Sequence, residues 1–152
     1  MVEIRRGGLD TAEVAALLGE HLVEMRRHSP PESVHALDLD RLRTPDLTFW
    51  SVWDGSDVLG CGALRELDPR HGELKSMRTA AAHLRRGVAR RLLVYMILEA
   101  RRRGYERLSL ETGSMDAFAS ARQLYARFGF EPCEPFAEYG LDPYSVFMTR
   151  GL

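Results

Sequence analysis

Residues 73–104, ELKSMRTAAAHLRRGVARRLLVYMILEARRRG, constrain the fold more than any other stretch. They read as a strand, a short turn and a long amphipathic helix. Leu84, Val88, Ala89, Leu92, Leu93, Met96, Ile97 and Ala100 recur at a spacing that lines one helical face, which predicts a helix over 84–103. Arg101, Arg102 and Arg103 near the negative end, then Gly104, make a stop. The start is unusual. Arg85 and Arg86 stand in or beside the first turn, where a helix already carries roughly half a positive charge. An anion at that end removes the conflict, and Gly87 lets a ligand come close to the backbone. Free N–H groups, a small residue and two arginines make a phosphate-binding arrangement. Plain solvation of both arginines is the alternative.

The rest of the chain supplies elements to surround this unit. Of 152 residues, 2–6, 47–53, 58–67, 73–79, 107–112, 130–136 and 145–149 read as strands, with Asp54-Gly55-Ser56-Asp57 as a hairpin turn. Helices are expected through 10–27, with Val14, Leu17, Leu18, Leu22 and Met25 buried, and over 117–128, with Ala121, Leu124 and Phe128 inward. A second, shorter helix is suggested by Val34, Leu37, Leu39 and Leu42, after the break at Pro30-Pro31. The order predicts one domain over 1–152, a mixed sheet with helices on its faces. The helix over 84–103 crosses between adjacent parallel strands, which splay near Met77 and Glu111 and leave a gap for a ligand.

Some functions are disfavoured early. A net charge of −1 gives no nucleic-acid footprint, since 22 acids balance the arginines. No apolar run approaches the roughly 20 residues that span a membrane, and 1–10 lack a signal-peptide core. Cys61 and Cys133 have neither metal spacing nor a disulfide framework, so a reducing cytoplasm and no metal are expected. Lys75 is the only lysine, a bias that fits genome composition. No Gly-Lys-Ser/Thr follows Gly87, and no G-x-G-x-x-G is present.

Two motifs carry a resemblance. Leu84-Arg85-Arg86-Gly87-Val88-Ala89 is similar to the Q/R-x-x-G-x-G/A acyl-CoA loop of the GCN5-related N-acetyltransferase (GNAT) family, with Leu84 where that family has Gln or Arg. Ala121-Arg122-Gln123-Leu124-Tyr125-Ala126-Arg127-Phe128-Gly129-Phe130 resembles its A-x-x-L-Y-x-x-x-G-F, with Phe118 where Asn is common. Residues 29–38 and 135–148 resemble a bacterial YsnE-type branch of the family. The resemblance implies an α/β GNAT-type domain. Its sheet is mixed and mostly antiparallel, with six to seven strands splayed centrally and about four helices flanking it. It implies acetyl-CoA as cosubstrate. The amides of Arg85, Arg86, Gly87, Val88, Ala89 and Arg90 would hold its pyrophosphate, Met77, Arg78 and Thr79 would pair with pantetheine, and Ser120 and Tyr125 would lie beside it.

The implied reaction is direct acetyl transfer to a primary amine of a small molecule. Tyr125 would protonate the departing thiolate, since phenol and thiol pKa values of about 10 and 8.5 are close. The base that frees the amine is Glu111 first, Glu73 next, and His35 third. The acceptor pocket is expected from His28, Ser29, Glu32, Ser33, His35, Trp50, Tyr139, Asp142 and Ser145, together with Glu111. Glu32, Asp142 and Glu111 suit a cationic acceptor, and Trp50 and Tyr139 an apolar part. A homodimer is compatible with the family. A domain that binds coenzyme A or a partner without catalysis is the competing reading, favoured by the off-pattern Leu84 and Phe118.

Overall fold

The computed structural model describes residues 1–33 and 39–152. The strands are β1 (Val2–Arg6), β2 (Leu47–Asp54), β3 (Asp57–Asp68), β4 (His71–Thr79), β5 (Arg107–Gly113), β6 (Glu131–Cys133) and β7 (Ser145–Gly151). They form one sheet in the order β1-β2-β3-β4-β5-β7-β6. Only β4 and β5 run parallel; every other neighbouring pair is antiparallel. The turn between β2 and β3 has two residues, and Gly55 takes φ +60° at its first position, which a side chain would resist.

Among the described residues there are three α-helices, α1 (Ala12–His28), α2 (Val88–Arg102) and α3 (Ala119–Arg127), against about four expected. Thr11 caps α1, its hydroxyl accepting from the Val14 amide at 3.3 Å. Of the residues that suggested a further helix, Val34 and Leu37 lie outside the described residues, and Leu42 is buried in a 3-10 turn, Arg41–Arg43. The last-but-one strand is also shorter than 130–136. Pro132 removes a donor from it, so it survives as a three-residue edge strand.

The sheet is covered on both faces. Val14, Leu17 and Leu18 of α1 pack against Phe49, Trp53, Cys61 and Ala63. On the other face Val88, Leu92, Leu93, Met96, Ile97 and Ala100 of α2 meet Trp50, Val52, Leu64, Leu74, Leu108 and Leu110, with Tyr125 and Phe130 beside them. At about 2 kcal/mol per buried large aliphatic side chain, the α2 stripe is a principal source of stability and sets the angle at which that helix meets the sheet.

One irregularity shapes the centre. The β3–β4 register slips between Cys61 and Ala63, which face Arg78 and Lys75. Ser76 sits in the bulge at φ +55°. Gly62 lies opposite, where a Cβ would come within 2.6 Å of Met77 Sδ. The bulge turns β4 away from β5. Their ladder joins His71–Leu74 to Arg107–Leu110 and then ends. Beyond it the two strands are no longer paired, close to Met77 and Glu111.

Candidate active site

The near end of α2 is an open, uncapped helix terminus. Its N-cap is Gly87 at φ +77°, and Arg85 precedes it at φ +63°. Two left-handed residues so close together cannot continue a helix, so α2 begins at Val88 and not at Leu84. Arg85 and Arg86 therefore stand in the loop before the helix, both exposed, and Arg86 Nη1 lies 2.7 Å from His83 Nδ1. The first amide to bond back is that of Arg91, onto the Gly87 carbonyl at 3.0 Å. The amides of Val88, Ala89 and Arg90 are left without helical acceptors, and no side chain caps them. A Cβ placed on Gly87 would meet nothing within 4 Å, so the space in front is clear. Free amides, the positive helix end and three nearby arginines fit a diphosphate. Leu84 is 57% exposed and reaches no core.

The gap between β4 and β5 begins where their ladder stops. On its β4 side Met77, Arg78 and Thr79 keep their pairing with β3 through Arg78 and Thr79, which face Cys61 and Gly60. Their other edge has no partner in β5, which leaves backbone donors and acceptors for an extended ligand. Met77 packs into the core under α2, and the Arg78 guanidinium reaches Glu20 at 3.0 Å. Ser120 lies exposed on the first turn of α3.

Glu111 follows Leu110, the last residue of β5 paired to β4, and Tyr125 lies within electrostatic reach of it. Burial lifts the Glu111 carboxyl from its ordinary 4.5 to about 7. The Ser145 hydroxyl and the Lys75 charge pull it back down, and Glu73 and Asp142 push it up. Tyr125 is 7% exposed, with its ring edge-on to Phe130 at 5.9 Å. Burial first, then the Glu111 charge, hold its phenol above the ordinary range, so it keeps its proton at neutral pH. Among the described residues its hydroxyl makes no hydrogen bond. An acid that holds its proton and a carboxyl poised near neutrality are thus within electrostatic reach of each other.

Glu73 is placed differently from Glu111. It is 1% exposed, and its carboxylate is engaged. Oε2 accepts from the Tyr139 hydroxyl at 2.5 Å and lies 3.3 Å from Lys75 Nζ, while Oε1 faces Arg65 at 3.6 Å. Such a carboxylate is held in place by its partners and is poorly suited to take a substrate proton.

The expected acceptor residues divide. Tyr139, Asp142 and Ser145 do gather around Glu111, and Ser33 joins them by donating to Asp142 Oδ2 at 2.6 Å. Trp50 does not. It is 2% exposed beneath α2, edge-on to Tyr95 at 5.9 Å, on the opposite face of the sheet from Glu73 and Lys75. Its place in a strand that alternates between two packed faces explains the error, since Phe49 and Trp53 face the other way. Ser29 is buried at the end of α1, its amide bonded to Met25. His28 pairs with Glu24 at 2.8 Å, Glu32 is exposed in a 3-10 turn, and His35 lies outside the described residues. Lys75 was missed. Its signal was available, because it is the chain's only lysine and sits in the strand that lines the gap. Among the described residues no group of three His, Cys, Asp or Glu is placed to hold a metal, and no helix is long and apolar enough to cross a membrane.

Comparison with known proteins accords with this geometry. The model of the acetyltransferase (GNAT) family matches residues 14–130. The chain is 60% identical over 151 residues to the uncharacterised N-acetyltransferase YsnE of Bacillus subtilis, covering 99% of this chain and 100% of that one. It is 51% identical over 152 residues to the uncharacterised N-acetyltransferase YedL of Escherichia coli, covering 100% of this chain and 96% of the other. A solved structure from Klebsiella pneumoniae, described as an acyl-CoA N-acyltransferase, superposes with a TM-score of 0.79 at 27% identity, over 100% of this chain and 98% of that one.

Proposed function

The chain belongs to the GNAT acetyltransferase family, and from that premise we propose that it moves an acetyl group from acetyl-CoA directly to a primary amine of a small molecule. The observation that carries the reading is the conjunction of three features. An uncapped helix end suits the diphosphate, an unpaired strand edge suits pantetheine, and Glu111, just past the last paired residue of β5, has Tyr125 within electrostatic reach.

In this reading the amides of Val88, Ala89 and Arg90, with Arg85, Arg86 and Arg90, hold the pyrophosphate. The free edge of Met77, Arg78 and Thr79 aligns the pantetheine arm. The cosubstrate, when bound, supplies a thioester carbonyl open to an amine and a sulfur that can leave. An amide of the β4 edge near Met77 polarises that carbonyl. Glu111, ionised above about pH 7, accepts the proton that the attacking amine releases, directly or through water. Tyr125 gives its proton to the departing sulfur; burial ensures that the phenol carries that proton at neutral pH, and the charge developing on the thiolate draws it across. Glu73 serves as a fixed charge and not as the base. Asp142, Tyr139 and Ser33 border the acceptor on the other side of Glu111, where carboxylates favour a cationic amine.

The test mixes the protein with acetyl-CoA and a panel of primary amines and reads free thiol. Thiol release that depends on one amine class and falls in Tyr125→Phe supports the reading. If acetyl-CoA raises the melting temperature while no amine is consumed, the chain is a binding domain and the catalytic roles are wrong.

A further inference from the structure

On the assignment of Glu111 proposed above, we infer that Lys75 is a positioning residue: its ammonium ties the Tyr139 hydroxyl to Glu73 and so holds the segment 134–144, with Asp142, over Glu111. Three atoms make the tie. Lys75 Nζ donates to the Tyr139 hydroxyl at 2.7 Å, Tyr139 donates onward to Glu73 Oε2 at 2.5 Å, and Nζ itself stands 3.3 Å from the same oxygen. A phenol has one proton to give and lone pairs to receive. A donor facing its oxygen from the other side polarises the O–H and strengthens its bond to the carboxylate, and Lys75 is that donor.

The arrangement is costly for a purely structural link. Lys75 is 8% exposed and Glu73 1% exposed. Apolar residues of similar volume commonly replace such a pair without loss of stability. The segment it secures also needs holding, because Ala137 is bent to φ +51°, a conformation that L side chains resist. Phe136 and Tyr139 lay their rings against Phe147 at 5.9 and 5.5 Å, and Glu138 meets Arg65 at 2.7 Å on the outer side. The polar tie by Lys75 reaches the same segment from β4, the strand that lines the gap.

What an ionic link adds is charge at Glu111. The groups that act electrostatically on Glu111, or that it acts on, include Glu73 and Lys75 of β4, Tyr125 of α3, Ser145 of β7, and Tyr139 and Asp142 of the segment 134–144. Lys75 alone in that set is a cation. It opposes the burial and the neighbouring carboxylates that would keep Glu111 protonated. One side chain therefore both seats the acceptor-side segment and keeps Glu111 usable at neutral pH.

Three variants test this. Lys75→Met removes tie and charge, Tyr139→Phe removes the tie alone, and Lys75→Met/Glu73→Met replaces the pair by apolar groups should the single variant not fold. Amide hydrogen exchange across 134–144 reads the tie. Carbon NMR of glutamate labelled at the side-chain carboxyl, with Glu111 assigned through Glu111→Gln, reads its titration in the protein alone. Lys75→Met should speed exchange in 134–144 by about tenfold and raise the Glu111 midpoint by about one pH unit. Tyr139→Phe should speed exchange and leave the midpoint near that of the wild type. In the double variant exchange should quicken as well. With acetyl-CoA and the best amine of the panel, Lys75→Met should move the acid limb of kcat/KM upward and leave the KM for acetyl-CoA within about twofold. Folded variants whose exchange and titration both match the wild type overturn the inference. A wild type that acetylates no amine overturns the transfer reading instead, while the exchange and titration arms still decide the role of Lys75.

Discussion

Replacing Glu111 by Gln should lower activity and raise stability together, from one cause. Burial in the gap lifts this carboxyl from 4.5 to about 7. A folded state that holds a proton more tightly than the unfolded chain gains stability in acid. That gain is complete below about pH 4.5 and is lost as pH rises through about 7. A span of about 2.5 units at 1.36 kcal/mol each sets a ceiling of about 3 kcal/mol. Solvent reaching the partly exposed carboxylate reduces this to about 2 kcal/mol. Gln carries no charge at any pH, so Glu111→Gln should melt about 4–8 °C above the wild type at pH 8, and most of that difference should vanish at pH 5. Activity moves the other way. In the wild type the ionised fraction of Glu111 is about a tenth at pH 6 and nine-tenths at pH 8, so kcat/KM should rise nearly tenfold between them. The Gln variant should lose about a hundredfold or more at pH 8 and show no such limb. Calorimetry at pH 5, 6.5 and 8, with thiol release on the same samples, measures both. A melting difference that stays constant across pH, or a Gln variant less stable than the wild type at pH 8, would refute the assignment of a raised, functional carboxyl.

Further outcomes follow from other parts of the chain. Tyr125→Phe should cut kcat by about ten- to a hundredfold with little change in the KM for acetyl-CoA, read by steady-state kinetics. Gly87→Glu puts a side chain at φ +77° and an anion at the open helix end, so calorimetry should show acetyl-CoA binding weakened by about a hundredfold. Gly87→Asn, which tolerates that backbone, should bind within about fivefold of the wild type. A Cβ on Gly113 would come within 2.2 Å of Phe118 Cδ2, so Gly113→Ala should cost about 1–3 kcal/mol in urea unfolding, and Phe118→Ala in the same chain should return part of it. Iodoacetamide at pH 8 should label the partly exposed Cys133 before Cys61, whose thiol burial pushes up to about 12; mass spectrometry of the labelled protein would show the order.

Much of this was legible in the sequence because it rests on local rules. The α2 stripe reads directly from the 3.6 period, and its end from Gly104. The divergence of β4 and β5 was placed at Met77 and Glu111 from element order, close to the last paired residues, Leu74 and Leu110. The start of α2 was not legible. Leu84 continues the apolar period, yet the left-handed turns at Arg85 and Gly87 override it, and only the glycine announces one of them. Trp50 was misplaced because a strand buried on both faces loses the alternation that tells in from out. Lys75 and Glu73 look like surface residues by type. Their partner Tyr139 lies 64 and 66 residues away, so only the folded chain shows that the charges are matched. Ser33 with Asp142, separated by 109 residues, is hidden for the same reason.

The slip opposite Gly62 divides labour along the polypeptide. Beyond four matched positions, the two halves of the sheet are free of one another across the opening. What is proposed to grip the nucleotide is confined to 77–90, upstream of the opening's far wall. What is proposed to border the acceptor comes mostly from 111–145, with a contribution near Ser33. Mutations that re-tailor the second region for a new amine need not disturb the first, so descendants of one such ancestor could diverge in diet while sharing the same donor.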